Sequence, residues 1–182
     1  MILKTTNIDQ KNSFLTNIFV YLIEYIIVKD KVIEEVDSLP PKWKFSFKIK
    51  PFKVEAGWTN VMHATIGKNY GRHGDRTPGI WFIPDTTKFQ VATCIDDKSN
   101  AIYKTSTAIP LNQYSTVVVQ QTPNAKNKAF YDFQVIVNGK IEVSVVNKKP
   151  RTFKKVKYYA SDPWYEAPHA AMKDFKIEKF SA

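Results

Sequence analysis

One cysteine, Cys94, stands in 182 residues, so no disulfide can close within the chain and stability has to come from a packed core. Its setting, QVATCIDD, reads as a strand, and a packed, inert thiol fits better there than a nucleophile. No Asn-x-Ser/Thr sequon is present, which withholds one common mark of an extracellular protein. The three histidines, His63, His73 and His169, lack H-x-x-x-H or H-E-x-x-H spacing, so no metal site is read from them. No G-x-S-x-G elbow presents a serine. Acidic residues are scarce, 17 against 27 Lys and Arg, and the net charge of +10 favours polyanionic partners such as acidic glycans or a peripheral anionic surface. Without an RNP-like, zinc-finger or helix-turn-helix pattern, nucleic acid is disfavoured.

Long apolar runs are also few. The one conspicuous run, Phe14 to Val28, spans 15 residues and is interrupted by Asn17 and Glu24, which is short for a membrane helix. Lys4 and Lys11 precede it in the manner of a signal peptide, yet Lys29-Asp30-Lys31 follows it in place of a small-residue cleavage site. A signal or anchor, a packed strand or helix, and an atypical extension all remain open. The chain therefore divides into an N-terminal apolar extension of unassigned structure, residues 1–31, and a single domain, residues 32–182.

What is there in abundance is two-residue alternation. Lys42 to Lys50 places aromatic or aliphatic residues at odd positions and Lys or Ser at even ones, the pattern of a strand with one buried and one wet face. The outward lysines would also discourage pairing with another sheet edge. Pro40-Pro41 and Pro51 bound that strand. Further strands are predicted over 61–66, 79–84, 89–95, 101–105, 115–121, 130–137, 140–146, 153–160 and 172–180. Asn138-Gly139 marks a hairpin. A two-residue loop there pairs Val137 with Lys140 and Val135 with Glu142, mismatching the faces. A three-residue loop pairs Val137 with Ile141, Val135 with Val143 and Phe133 with Val145, and burial favours it. With no long helical pattern outside the N-terminal region, the fold class is all-β: an antiparallel jelly-roll β-sandwich.

The series WKFSFKIKPF, GWTNVMHATIG, GIWF, QVATCIDD, YSTVVVQQ, VNGK, VKYYASDPWYEAP and MKDFKIEKF resembles the concanavalin A-like lectin/glucanase superfamily, in particular its laminin G-like modules. The resemblance spans residues 32–182. It implies a lectin-like, non-catalytic module in an extracellular or cell-surface setting, whose partner is a glycan or glycoconjugate, or an extracellular protein. It also implies that Ca²⁺ could be held by an Asp and loop carbonyls, with Asp75, Asp96-Asp97 and Asp162 as counterparts; the residues by themselves call for no cofactor. The laminin G disulfide, the galectin signatures and the legume-lectin metal loop are missing. Glu35-Val36-Asp37 begins the glucanase carboxylate motif, but Ser38-Leu39-Pro40-Pro41 follows, so the second Glu required for glycoside chemistry is absent.

Two loops concentrate the remaining chemistry. Residues 67–77 carry Asn69, Arg72, His73, Asp75 and Arg76. The arginines could take a carboxylate or sulfate in bidentate fashion, or one could pair with Asp75 and pin the loop. His73 is the better histidine for binding; His63 reads as a half-exposed structural residue. In Asp162-Pro163-Trp164-Tyr165 the aromatics could stack on a sugar while Asp162 bonds its hydroxyls, or they could plug the end of the sandwich. The candidate binding set is thus Asn69, Arg72, His73, Asp75, Arg76, Asp162, Trp164 and Tyr165, with no catalytic residue. Lys148-Lys149-Pro150-Arg151 with Lys154, Lys155 and Lys157 forms the densest basic run, either an anion-attracting patch or a solvated face.

Overall fold

The computed structural model describes residues 2–8, 15–21 and 24–180, and every named strand pairing among them is antiparallel. The first sheet contains β1 (Ile2–Ile8), β2 (Leu15–Tyr21), β3 (Tyr25–Ile26), β5 (Trp43–Pro51), β10 (Ser115–Pro123), β11 (Tyr131–Val137), β12 (Lys140–Asn147) and β14 (Ala170–Phe180). Its order is β1-β2-β14-β5-β10-β11-β12, with β3 also on β14. The second sheet runs β4-β13-β6-β7-β8-β9, from β4 (Val32–Leu39), β13 (Phe153–Tyr159), β6 (Thr59–Thr65), β7 (Gly79–Phe82), β8 (Phe89–Ile95) and β9 (Lys98–Lys104). The fold is the expected all-β jelly-roll sandwich.

The alternation seen in the sequence becomes the packing. In β5 every odd residue is buried, and Trp43, Phe45, Phe47 and Ile49 face the second sheet with Val117, Val119, Phe133, Val135, Phe175 and Ile177 from their neighbours. Trp43 stacks on Phe45 at 5.2 Å, Phe47 on Phe175 at 6.4 Å, and Phe45 meets Tyr158 of the opposite sheet edge-on at 6.5 Å. Each such fully buried side chain contributes roughly 1.5–3 kcal/mol. β5 lies inside its sheet between β14 and β10, so its lysines do not guard an edge; Lys44 and Lys48 instead pair with Glu178 and Asp174 on β14. Cys94 is buried as a free thiol in β8, as its strand context indicated.

The N-terminal segment contributes strands. β2 pairs with Phe175–Phe180 of β14 and β3 with Ala171 and Met172 of the same strand, before and after a bulge that contains Asp174. The division at residue 31 thus falls between β3 and β4. Phe14, Leu22 and Ile23 of the apolar run lie outside the described residues.

The Asn138-Gly139 hairpin departs from the expected three-residue loop. Both residues have positive φ, 49° and 81°, and Val137 pairs directly with Lys140, a two-residue turn whose twist suits the flanking strands. Ile136 therefore pairs with Ile141, and a bulge between Val135 and Ile136 restores the register, so that Val135 meets Val143 and Phe133 meets Val145 as burial demands. The turn was legible and so were the buried pairs; the bulge that reconciles them was not.

Glu142, the residue that this bulge sets free, reaches the loop after β9. Its carboxylate accepts from the Ser106 amide and hydroxyl (both 2.7 Å), the Thr107 amide (3.2 Å) and hydroxyl (2.7 Å), and Lys140 Nζ (2.8 Å). The Lys140 bond, then those from Thr107 and Ser106, hold its pKa far below the ordinary glutamate value. A carboxyl whose pKa is depressed by folding stabilises the fold above its unfolded pKa and loses that contribution as pH falls toward the folded value. Glu142→Ala is expected to cost about 1–3 kcal/mol at neutral pH. Its stability should also fall less steeply than the wild type below about pH 4.5, the ordinary glutamate range. Urea denaturation across the acid range reads both effects.

Candidate functional site

Residues of β6 and β7 are buried on both faces of the second sheet, which a two-layer sandwich by itself does not provide. One face carries Met62, Ala64, Ile80 and Phe82 into the core. The other carries His63 and Trp81, which the 66–78 and 161–168 segments cover.

The first covering segment is ordered by Asp75. Its carboxylate accepts the amides of Tyr70 (2.9 Å) and Arg72 (3.0 Å), its own amide donates to the Arg72 carbonyl (3.0 Å), and it is 1% exposed. Neither arginine pairs with it, contrary to the bracing that sequence spacing suggested: carboxylate oxygens this deep take the nearest backbone donors of their own turn. The second segment is ordered by Asp162. Ser161, at φ 72°, reverses the chain, and Asp162 Oδ1 then accepts the amides of Trp164 (3.0 Å) and Tyr165 (2.8 Å), an Asx turn. The Asp162 amide donates to Asn60 Oδ1 at 2.8 Å, while Asn60 Nδ2 satisfies the carbonyls of Met62 and Ile80 at the β6–β7 bulge.

His63 joins the two segments. Its Nδ1 lies 2.6 Å from Asp162 Oδ2 and its Nε2 lies 2.6 Å from the Asp75 carbonyl oxygen, with both side chains at 0% exposure. Trp81 and Trp164 close on the imidazole edge-to-face at 5.4 and 5.5 Å. The half-exposed histidine expected from the sequence is therefore fully covered, because two rings from β7 and from the 162–165 turn pack on it.

Trp81 is the floor of the exposed part. Tyr165 meets its ring at 5.6 Å and the Arg76 guanidinium lies over it at 5.0 Å. Arg76 Nε donates to Asn69 Oδ1 (2.7 Å) and Nη1 to Asn100 Oδ1 (3.0 Å), so both of its hydrogen-bonding acceptors are neutral amides. Trp164, next to Tyr165 on the 162–165 turn and packed on His63, remains 41% exposed. Gly79 permits the arrangement: a methyl there would overlap Trp81 Cη2 and Cζ3. Gly79→Ala is accordingly expected to push the indole off its seat and cost about 1–3 kcal/mol, with a loss of near-ultraviolet circular dichroism.

Of the candidate residues, Arg76 and Tyr165 contact Trp81, Asn69 holds Arg76, Trp164 packs on His63, and Asp75 and Asp162 order the segments that carry them. Arg72 and His73 turn to other partners. The Arg72 guanidinium lies 6.0 Å from the ring of Tyr70, itself 78% exposed, and His73 Nδ1 sits 3.0 Å from Cys94 Sγ. Burial raises the pKa of that thiol, with Arg151 acting against the rise, so the cysteine stays a poor nucleophile. Trp81, Asn60 and Asn100 were not singled out in the sequence, and His63 was read there only as a structural residue. The one available signal was that GIWF carries no polar side chain, the mark of a strand covered on both sides.

The carboxylates that the resemblance offers for Ca²⁺ do not fit a cation. Asp75 and Asp162 are consumed as described, Asp96 Oδ1 accepts the Lys148 amide (2.5 Å), and Asp97 pairs with Lys149 (2.5 Å) and Arg151 (3.8 Å). Each faces N–H donors, and among the described residues no three His, Cys, Asp or Glu converge as ligands. Those same pairs of Asp97, with Lys157–Glu35 at 3.0 Å, offset part of the basic run.

No protein-family model matches the chain, and no curated protein sequence matches it. Solved structures do. The native heptameric SAP-like pentraxin of Limulus polyphemus aligns over 86% of this chain and 76% of its own, with a TM-score of 0.57 at 11% identity. The CBM40 of Ruminococcus gnavus IT-sialidase, solved with α2,3-sialyllactose, aligns over 87% and 92%, with a TM-score of 0.51 at 9% identity. The chain has the jelly-roll β-sandwich fold of these structures. At such identities the likeness concerns this fold alone, and the chemistry of the jelly roll has to be argued from its own Trp81 face.

Proposed function

We propose that this jelly roll is a non-catalytic recognition module of the concanavalin A-like, laminin G-related kind. It binds carbohydrate, and acidic glycoconjugates in particular, on the face formed by Arg76, Trp81, Trp164 and Tyr165, in an extracellular or cell-surface setting. The observation that carries this reading is the state of Arg76. Its guanidinium is oriented by two amides and an indole, and no carboxylate forms an ion pair with it among the described residues. An oriented cation without a carboxylate partner, on a Trp81–Tyr165 ring pair whose turn also exposes the Trp164 indole, suits a ligand with one anionic group and an apolar ring face. Asp75 and Asp162 serve this reading from below, by shaping the loops. Catalysis is disfavoured because Glu35 lies on the outermost strand β4 in an ion pair with Lys157, without a facing carboxylate partner in the motif.

A glycan array probed at about 0.1 M and about 1 M salt tests the reading, since general attraction of a basic protein is screened across that range. Acidic glycans retained at both salts, and lost in Trp164→Ala, are the expected result. Binding that vanishes for every glycan at high salt would reduce the effect to net charge. A silent array would favour the second reading, a protein–protein interaction module. That alternative draws on exposed Tyr70 beside Arg72, residue types that commonly anchor protein interfaces.

A further inference from the structure

We propose that His63 takes the structural place of a loop-bridging metal ion, so that the recognition face is assembled by a protein side chain and is independent of divalent cations. The tie itself is a property of the fold; its consequence for ligand binding rests on the reading just given for the Trp81 face.

The argument begins with what a cation does between loops: it draws oxygen atoms from separate segments to one centre. Here one segment offers a carboxylate oxygen of Asp162 and the other a backbone carbonyl oxygen of Asp75. Both converge on one imidazole, at 2.6 Å from its two nitrogens. The carbonyl can only accept, so Nε2 supplies its N–H to Asp75, while the ring and the Asp162 carboxyl share one proton between Nδ1 and Oδ2. The imidazole is at 0% exposure, with Trp81 and Trp164 packed edge-to-face on it. Beyond these rings, the charged neighbours are Arg76 across Trp81 and the Asp75 carboxylate, which is directed at its own turn.

The position also explains why the neighbouring carboxylates do not gather. Asp162 has spent Oδ2 on the ring and Oδ1 on two amides, and Asp75 has turned its carboxylate away and presents its carbonyl. Residues adjacent to the two bridged atoms are the ones that form the exposed face: Arg76 follows Asp75, and Trp164 and Tyr165 hang from Asp162. His63 is thus a positioning residue for both halves of that face.

The test needs no ligand. In protein labelled with ¹⁵N-histidine, His63 is assigned by its proximity to the Trp81 and Trp164 rings and is distinct from exposed His73 and His169. The Nε2 of His63 is expected to carry a slowly exchanging proton, donated to the Asp75 carbonyl. An unprotonated Nε2 would overturn the proposal. Thermal unfolding and amide exchange of residues 67–77 and 162–165 are expected to be unchanged by EDTA or by millimolar Ca²⁺, whereas His63→Gln, which can meet only one of the two acceptors well, should speed exchange in both segments at once. A melting temperature raised by Ca²⁺ or lowered by EDTA, or a variant that loosens one segment and leaves the other protected, would equally sink it. Should these results hold while the glycan array stays silent, the tie stands and only the carbohydrate reading falls.

Discussion

Asp162→Ala is expected to cost the fold about 3–5 kcal/mol, because it takes the partner from three buried polar groups at roughly 1–3 kcal/mol each. The carboxylate is fully buried and carries three separate tasks: it faces His63 Nδ1 at 2.6 Å, and it accepts the amides of Trp164 and Tyr165. Removing it leaves the imidazole Nδ1 without its partner and two amides without an acceptor in a region water does not reach. Asp162→Asn keeps the volume and one acceptor oxygen, so it should retain part of the Asx turn while losing the charge, and it should fall between the alanine variant and the wild type. Chemical denaturation of the three proteins gives the ordering. An alanine variant within about 0.5 kcal/mol of wild type, the spread of unremarkable surface changes, would mean that the Asp162–His63 contact contributes nothing to the fold.

Arg76→Ala is expected to weaken binding of acidic glycans by roughly ten- to a hundredfold, the size of a charge-assisted hydrogen bond of about 1.5–3 kcal/mol. Stability should change far less, because the groups the arginine leaves behind are the Asn69 and Asn100 amides at a partly open surface, which water can satisfy. Arg76→Lys preserves the charge but cannot keep the Nε and Nη1 bonds together or lie flat on Trp81, so it should recover only part of the affinity. Isothermal titration against an acidic oligosaccharide from the array and its neutral analogue separates charge from shape. Equal losses for both ligands would move the role of Arg76 from recognition to support of the Trp81 ring.

Much of the scaffold was legible in the residues because strand faces are encoded locally. Period-2 alternation placed β5 and its inward Trp43, Phe45, Phe47 and Ile49, and positive-φ chemistry at Asn138-Gly139 placed the hairpin. The bulge at Glu142 escaped because two local preferences, the short turn and the buried pairs, conflict by one residue, and only the assembled sheet shows how they are reconciled. The loops rich in polar and aromatic residues were visible too, but the partners of those residues were not. Asp75 looked poised for an arginine and found backbone amides, and His63 looked half-exposed and is sealed.

By itself the sequence determined an all-β sandwich, the inward face of most of its strands, the turn at Asn138-Gly139, and two polar–aromatic loops at residues 67–77 and 162–165. Only the tertiary structure decided that these loops share a centre. β13 pairs with β6 so that Tyr159 stands opposite His63, and this brings Asp162 onto a ring 99 positions away in the chain. Periodicity reports which side of a strand a residue occupies; it holds no information on which distant loop folds over that side. That choice follows from the pairing of whole strands and the burial of Trp81 and Trp164, which are long-range and collective.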